Sequence, residues 1–310
     1  MRRRIIFLDI DGTLTEAGKN EPPQSALWAI EQARKAGHFV FLCTGRNYDM
    51  LSPLLQYGFD GVIGSAGGYI ECRGEVLYDC PMTRRQTELV MTVLAGNGVF
   101  RTVECMEGAF TDEGFKAFLQ EHAAEGRNSE LLRWREQIEQ SLHILPMREY
   151  RGQPVYKVVF MSPSMEALAR PQEALREEFD FCIHGEDPYG FINGEIINRQ
   201  FDKGKAVEKV CAHLGIPVAD AIAFGDSMND RQMLETVGLG ICMANGSEPL
   251  KELADEICPA VWEDGIRAAL EKYCLTAPPM LPCFRVLNVC LENKRMRCRR
   301  SDSYWGFHRI

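Results

Sequence analysis

The chain opens on an unbroken apolar run, Ile5-Ile6-Phe7-Leu8, that stops at Asp9. Apolar residues without polar alternation predict a short strand buried on both faces. In "PQSALWAIEQARKAG" apolar residues return at Leu27, Ile30 and Ala33 before Gly37, the spacing and stop signal of an amphipathic helix. Trp28 is read as a core residue of that helix. "HFVFLCTG" gives a second strand ending at Thr44, a helix is expected over about 48–57, and "DGVIGSAG" gives a third strand. A βαβαβ order of this kind implies a parallel sheet with helices on both faces.

The pattern then changes twice. "GYIECRGEVLYDC" alternates on either side of Arg73-Gly74 and predicts a β-hairpin. From 81 to 188, helical periods ("TRRQTELVMTVLAG", "SELLRWREQIEQSL", "MEALARPQEALREEF") mix with strand-like runs ("VFRTVECM", "VYKVVFMS", "FDFCIHG"). Strand and helix alternate again through "KGKAVEKVCAHLGI", "AIAFGDS", "DRQMLETVG", "LGICMA" and "SEPLKELA". The expected architecture is a Rossmann-like, doubly wound α/β unit split into 1–80 and 189–275, with an α+β unit inserted at 81–188. Residues 276–310 lack apolar periodicity and are read as a basic, poorly ordered tail.

Charge narrows the partners. The chain of 310 residues carries a net charge of −9, which argues against nucleic acid and membrane surfaces as partners. A small anionic substrate stays compatible with that charge if a metal ion reverses the local field. Twelve cysteines scatter through apolar stretches without a C-x-x-C pair, as expected of reduced thiols in a cytoplasmic protein. The first apolar run is too short for a signal peptide, and no run reaches the length of a transmembrane helix. The six histidines form no metal-spaced cluster, which argues against zinc. Nothing in the pattern sets the oligomeric state.

Four polar clusters fall at or just after the carboxyl ends of predicted core strands, where open α/β sheets bind ligands. They are "DIDGT" (Asp9, Asp11), "CTGR" (Thr44), "FDKGKA" (Lys203) and "GDSMND" (Asp226, Asn229, Asp230). Asp9 and Asp11, two apart on a strand end, point the same way. With Asp226 they would repel one another unless a hard cation such as Mg²⁺ sat among them. Lys203 and the Thr44 hydroxyl can hold a phosphate, and Gly12 and Gly45 let backbone N–H groups approach its oxygens. A carboxylate in such a site can attack phosphorus, and its neighbour two residues on can move the proton.

These motifs, in this order, resemble the haloacid dehalogenase-like (HAD) superfamily of phosphatases, in the Cof-type branch (subfamily IIB) with a large type C2 cap after the third core strand. The likeness spans roughly residues 4–274 and includes the closing "MANGSEPLKELADEI…WEDGI". It implies Asp9 as nucleophile and Asp11 as general acid/base. It implies Mg²⁺ held by Asp9, the backbone carbonyl of Asp11, and Asp226, with Asp230 holding a metal-bound water or orienting Lys203. Thr44 and Lys203 would grip the transferring phosphoryl group, and Asn229 and Asn245 would line the phosphate side. Arg46 has two readings, a phosphate ligand or the partner of an acid. The chain departs from the family at "IGSAGG", where Ser65 stands in place of a common Asn.

Each residue also has a plainer reading. Thr44 can cap the following helix, Asn229 and Asp230 can cap the helix beginning near Arg231, and Lys203 can be a solvated helix-start lysine. The expected activity is Mg²⁺-dependent hydrolysis of a small phosphorylated metabolite, such as a sugar phosphate, through an aspartyl phosphate. Two alternatives share the motifs: a phosphotransferase or mutase using the same aspartate, and a non-catalytic phospho-ligand sensor.

Overall fold

A computed structural model describes residues 2–114, 144–186, 191–273 and 275–276. The expected helix in "SELLRWREQIEQSL", whose Trp134 is read as a core residue of the inserted unit, and the basic tail lie outside the described residues. The chain first lays down β1 (Ile5–Leu8), β2 (Phe39–Cys43), β3 (Gly61–Gly64) and the hairpin β4 (Tyr69–Cys72) and β5 (Glu75–Asp79). It continues through β6 (Phe100–Cys105), β7 (Gly108–Thr111), β8 (Ile144–Pro146), β9 (Val155–Ser162), β10 (Phe179–Glu186) and β11 (Ile192–Asn198). It then returns with β12 (Ala221–Gly225), β13 (Leu239–Met243) and β14 (Glu256–Cys258).

Two sheets result. An eight-stranded sheet has the order β14-β13-β12-β1-β2-β3-β4-β5, with β14 through β3 parallel and the hairpin antiparallel at its edge. A six-stranded sheet has the order β10-β11-β9-β6-β7-β8. β1 sits between β2 and β12, so residues roughly two hundred positions apart become neighbours at one strand end. Every residue of β1, β2, β12 and β13 is buried, as continuous apolar runs require between two helical layers. β11 belongs to the six-stranded sheet, which therefore reaches past the boundary expected at 188.

The helix Gln24–Lys35 departs from expectation in one respect. It buries Ala26, Ala29, Ile30 and Ala33, a stripe of mostly small residues, and Trp28 points away with 43% of its surface exposed. The Arg267 guanidinium lies 4.8 Å from the Trp28 ring centre, so the indole serves a cation instead of the core. The helix expected over 48–57 is a 3₁₀ turn, Asp49–Leu51, followed by the single helical turn Ser52–Leu55. The eight cysteines among the described residues are free thiols. No described helix is long and apolar enough to cross a membrane.

Candidate active site

β1 and β12 run parallel and end together, so Asp9 and Asp226 leave the sheet side by side. The Asp9 N–H donates to Phe224 O at 3.1 Å and fixes that juncture. Lys203 opens the helix Lys203–Leu214, whose N-terminus is capped by the Asp202 carboxylate accepting from Lys205 N–H at 2.8 Å. Asp230 comes from the 3₁₀ turn Met228–Asp230 directly after β12.

One carboxylate oxygen from each of Asp9, Asp226 and Asp230 lies within 4.8 Å of the others, and all three residues are buried. Lys203 Nζ donates to Asp9 Oδ1 at 2.7 Å and to Asp230 Oδ1 at 2.5 Å. Asp230 Oδ2 accepts from the N–H groups of Asp226 (3.0 Å) and Ser227 (3.2 Å), so both of its oxygens are engaged. Asp230 thus steadies Lys203 and the loop after β12.

Burial pushes the Asp9 carboxyl up to about 8, with Asp230 adding to the rise and Lys203 opposing it. Asp226 is driven well above the usual carboxylate range by burial, then by Asp9 and Asp230. Burial also works against the Lys203 charge, but Asp230 and Asp9 outweigh it and hold the ammonium well above its ordinary value. With Asp11 and Arg46 included, four buried carboxylates face two buried cations, so full ionisation would leave two negative charges uncompensated, the excess that Asp9 and Asp226 relieve by holding protons.

A divalent cation would cancel that excess and let Asp9 and Asp226 ionise. Asp226 Oδ1 is buried and takes no hydrogen bond from the described residues, an expensive state for a carboxylate unless a cation faces it. An all-oxygen donor set suits Mg²⁺ better than a softer metal. Gly12 makes room for this carboxylate. Its φ is +83°, and a Cβ there would sit 2.3 Å from Asp226 Oδ2. The Gly12 N–H donates to Thr15 O at 2.9 Å, so the glycine serves the turn and Asp226 instead of offering its N–H to a phosphate.

Two more of the residues read as possible phosphate ligands have partners within the protein. Arg46 is almost fully buried and forks onto Asp11, with Nε at 2.8 Å from Oδ2 and NH2 at 2.7 Å from Oδ1. Its remaining donors reach Asn20 Oδ1 (2.6 Å) and Lys19 O (3.0 Å), so it pairs with an acid instead of facing a phosphate. A planar guanidinium matches a carboxylate at two points, which explains the preference. The Asp11 carboxylate is accordingly turned to Arg46 and to Gly18 N–H (2.9 Å), apart from the Asp9, Asp226 and Asp230 cluster. Asn245 ties the Gly12 carbonyl (2.7 Å) to the Val261 N–H (3.0 Å) and acts as a strut under the "DIDGT" turn. Asn229 is half-buried, with Oδ1 accepting from the Ser227 hydroxyl at 2.8 Å.

Thr44 is buried, and its Oγ1 accepts from Arg46 N–H at 3.1 Å, which leaves the hydroxyl proton to donate elsewhere. The Ser65–Ala66 step crosses beside it. Ser65 N–H donates to Arg46 O and Ala66 N–H to Thr44 O, with φ of +49° and +58° at the two residues. Both sit in the left-handed region that Asn and Gly tolerate best.

The sequence pattern of the haloacid dehalogenase-like hydrolases matches residues 6–270. The chain belongs to that family. Among relatives of this haloacid dehalogenase-like hydrolase, the HMP-PP phosphatase of Yersinia pseudotuberculosis is 30% identical over 259 residues, 80% of this chain and 86% of its own length. The fold is similar to that of a haloacid dehalogenase-like hydrolase from B. subtilis (TM-score 0.72, 22% identity, 86% of this chain and 99% of the other). It is also similar to the HAD subclass IIB sugar phosphatase BT4131 (TM-score 0.67, 21% identity, 88% of this chain and 99% of the other). The chain is a HAD-type phosphatase on a parallel α/β core.

The six-stranded sheet of this HAD phosphatase adds residues that the motifs do not contain. Lys157, fully buried in β9, donates to Gly45 O at 2.8 Å and pairs with Glu104 and Glu195 from the strands on either side. The six-stranded sheet thus touches the Thr44–Arg46 turn through a buried ammonium. A signal exists in the sequence: one lysine inside the apolar run "VYKVVFMS" and one acid each in "VFRTVECM" and "FINGEIIN". Thr13, the last residue of "DIDGT", is fully buried, and its Oγ1 has no partner among the described residues.

Proposed function

We propose that this HAD phosphatase is Mg²⁺-dependent and hydrolyses a small phosphorylated metabolite through an aspartyl phosphate on Asp9. The observation that carries the reading is the buried Asp9–Lys203–Asp230 chain beside Asp226, whose carboxyls need a cation to ionise together, and the orphaned Asp226 oxygen. The relative named HMP-PP phosphatase supports a small phosphorylated substrate. We also assign the six-stranded sheet as the inserted cap that selects this substrate, seated on the Thr44–Arg46 turn through Lys157.

Mg²⁺ would be held by Asp9 and Asp226, and when bound it would offset their charge and that of the phosphoryl oxygens. Lys203 grips Asp9 Oδ1, which leaves Oδ2 as the oxygen to attack phosphorus. Attack by Oδ2 forms a P–O bond while the ester P–O bond breaks, and the leaving oxygen takes a proton from Asp11. Water then attacks phosphorus, passes a proton to Asp11, and releases Asp9 and phosphate. The Thr44 hydroxyl and the Lys203 ammonium donate to the phosphoryl oxygens throughout. Asp11, an ionised partner of Arg46, must leave that fork and take up a proton from solvent before it can act as the acid, so this ion pair gates the acid step.

The test is phosphate release from an aryl phosphate in MgCl₂ by wild type and Asp9→Asn. Release by wild type alone is expected; release by both removes Asp9 as nucleophile. Preferential transfer to an added sugar over water would instead make the protein a phosphotransferase.

A further inference from the structure

The opposite end of β1 carries a second charged group. Arg3 precedes the strand and Asp9 follows it, a separation of about 20 Å at strand rise. There a cavity of about 320 Å³ is lined by Arg3, Arg34 and Arg73 together with His38, Phe39 and Asp60. Asp60 accepts from Val40 N–H (3.0 Å) and Arg34 Nε (3.2 Å), with Arg73 NH2 at 3.5 Å. One carboxylate against three guanidinium groups leaves two positive charges in surplus. The Arg3 and Arg73 guanidinium carbons lie 5.2 and 4.6 Å from the Phe39 ring centre, so a single ring gathers two like charges.

His38 supplies a second, independent observation. It is only 3% exposed, and its Nδ1 accepts from Arg4 N–H at 3.1 Å, which places the ring proton on Nε2. Burial, then Arg4 and its positive neighbours, push the imidazole down to about 4, so it is neutral at pH 7 and donates through that nitrogen alone. Nε2 has no partner among the described residues. His38 thus lines a cavity of surplus positive charge while holding a buried donor without an acceptor.

We propose that this cavity is a second ligand site, distinct from the Asp9 site, that takes a dianionic phosphate group, with the guanidinium groups of Arg3, Arg34 and Arg73 as its donors and His38 in its wall as a reporter. Two surplus positive charges match a phosphate dianion, where a carboxylate would leave one unmatched. The phosphate can be free or borne by a small organic molecule. The site lies at the far end of the strand from the reacting atoms and uses none of the proposed catalytic residues.

The His38 imidazole N–H, assigned through bonds in the full chain, reports on the site by nuclear magnetic resonance. Inorganic phosphate and, separately, methylphosphonate are titrated against NaCl at matched ionic strength, in wild type, Asp9→Asn and the exposed pair Arg3→Gln/Arg73→Gln. A saturable His38 shift at millimolar phosphate is expected, retained in Asp9→Asn and weakened at least tenfold in the arginine pair, whose phosphatase activity stays at the wild-type level. Equal binding of methylphosphonate assigns the site to phosphate borne by an organic molecule; binding of inorganic phosphate alone assigns it to the free ion. No saturation, an equal response to NaCl, or an unchanged midpoint in the arginine pair overturns the proposal. Because Asp9→Asn is expected to keep the site, failure here is distinguishable from failure of the Asp9 mechanism.

Discussion

Replacing Gly12 with alanine separates two costs that a single glycine conceals. The first is backbone strain. At φ +83° an L-residue pays roughly 1–2 kcal/mol. The second is a collision, since the new methyl would lie 2.3 Å from Asp226 Oδ2 and real Cβ contacts stay at 3.0 Å or more. The carboxylate must therefore retreat by about 0.7 Å, the difference of those distances, well beyond the ~0.2 Å that metal–ligand distances tolerate. Gly74 offers a matched control, because its φ is also +83° and a methyl added there would meet nothing within 4 Å. Both variants should lose about 1–2 kcal/mol in urea unfolding through the backbone. Gly12→Ala should lose about 1 kcal/mol more, for an Asp226 side chain forced off its rotamer. It alone should raise the Mg²⁺ concentration for half-maximal phosphate release, by about tenfold or more. Equal stability losses together with an unmoved Mg²⁺ requirement would refute the link between Gly12, Asp226 and the metal.

Three further outcomes are expected. Lys157→Met strands Glu104 and Glu195 in a buried site and should cost about 3–5 kcal/mol by urea unfolding. Adding Glu104→Gln and Glu195→Gln should recover most of that loss; a single-variant cost under about 1 kcal/mol would contradict a buried triad. His38 sits at about 4 when folded and at 6.5 when unfolded, so the unfolded chain binds the proton first as pH falls. Its contribution is therefore fully present above about pH 6.5 and is lost toward pH 4, by about 1 kcal/mol between pH 7 and 5.5. His38→Gln should show a shallower dependence of the urea midpoint over that window, and an unchanged slope would count against this burial. Ala66→Gly relieves a left-handed alanine at φ +58° and should stabilise the chain by about 0.5–1 kcal/mol; a lower melting temperature would show that the loop is unstrained.

The sequence by itself determined the elements and the chemistry carried by local spacing. Alternating strand and helix patterns imply a parallel sheet, and a parallel sheet collects its polar strand ends along one edge. Asp9, Thr44, Lys203 and Asp226 were legible for that reason, each lying at a strand end or at the start of a core helix. Only the tertiary structure decided which partner each side chain takes. Arg46 meets Asp11 across 35 residues and Lys157 meets Gly45 across 112, and no periodicity encodes such pairs. The same limit explains Trp28. Helical spacing marks an apolar stripe, but whether that stripe admits an indole or only small side chains depends on how closely the neighbouring helix Gly265–Lys272 approaches. Charge shows the division most clearly. The sequence counts the acids and bases, while burial of four carboxylates with two cations is a property of the fold, and it is that burial which raises Asp9 and Asp226.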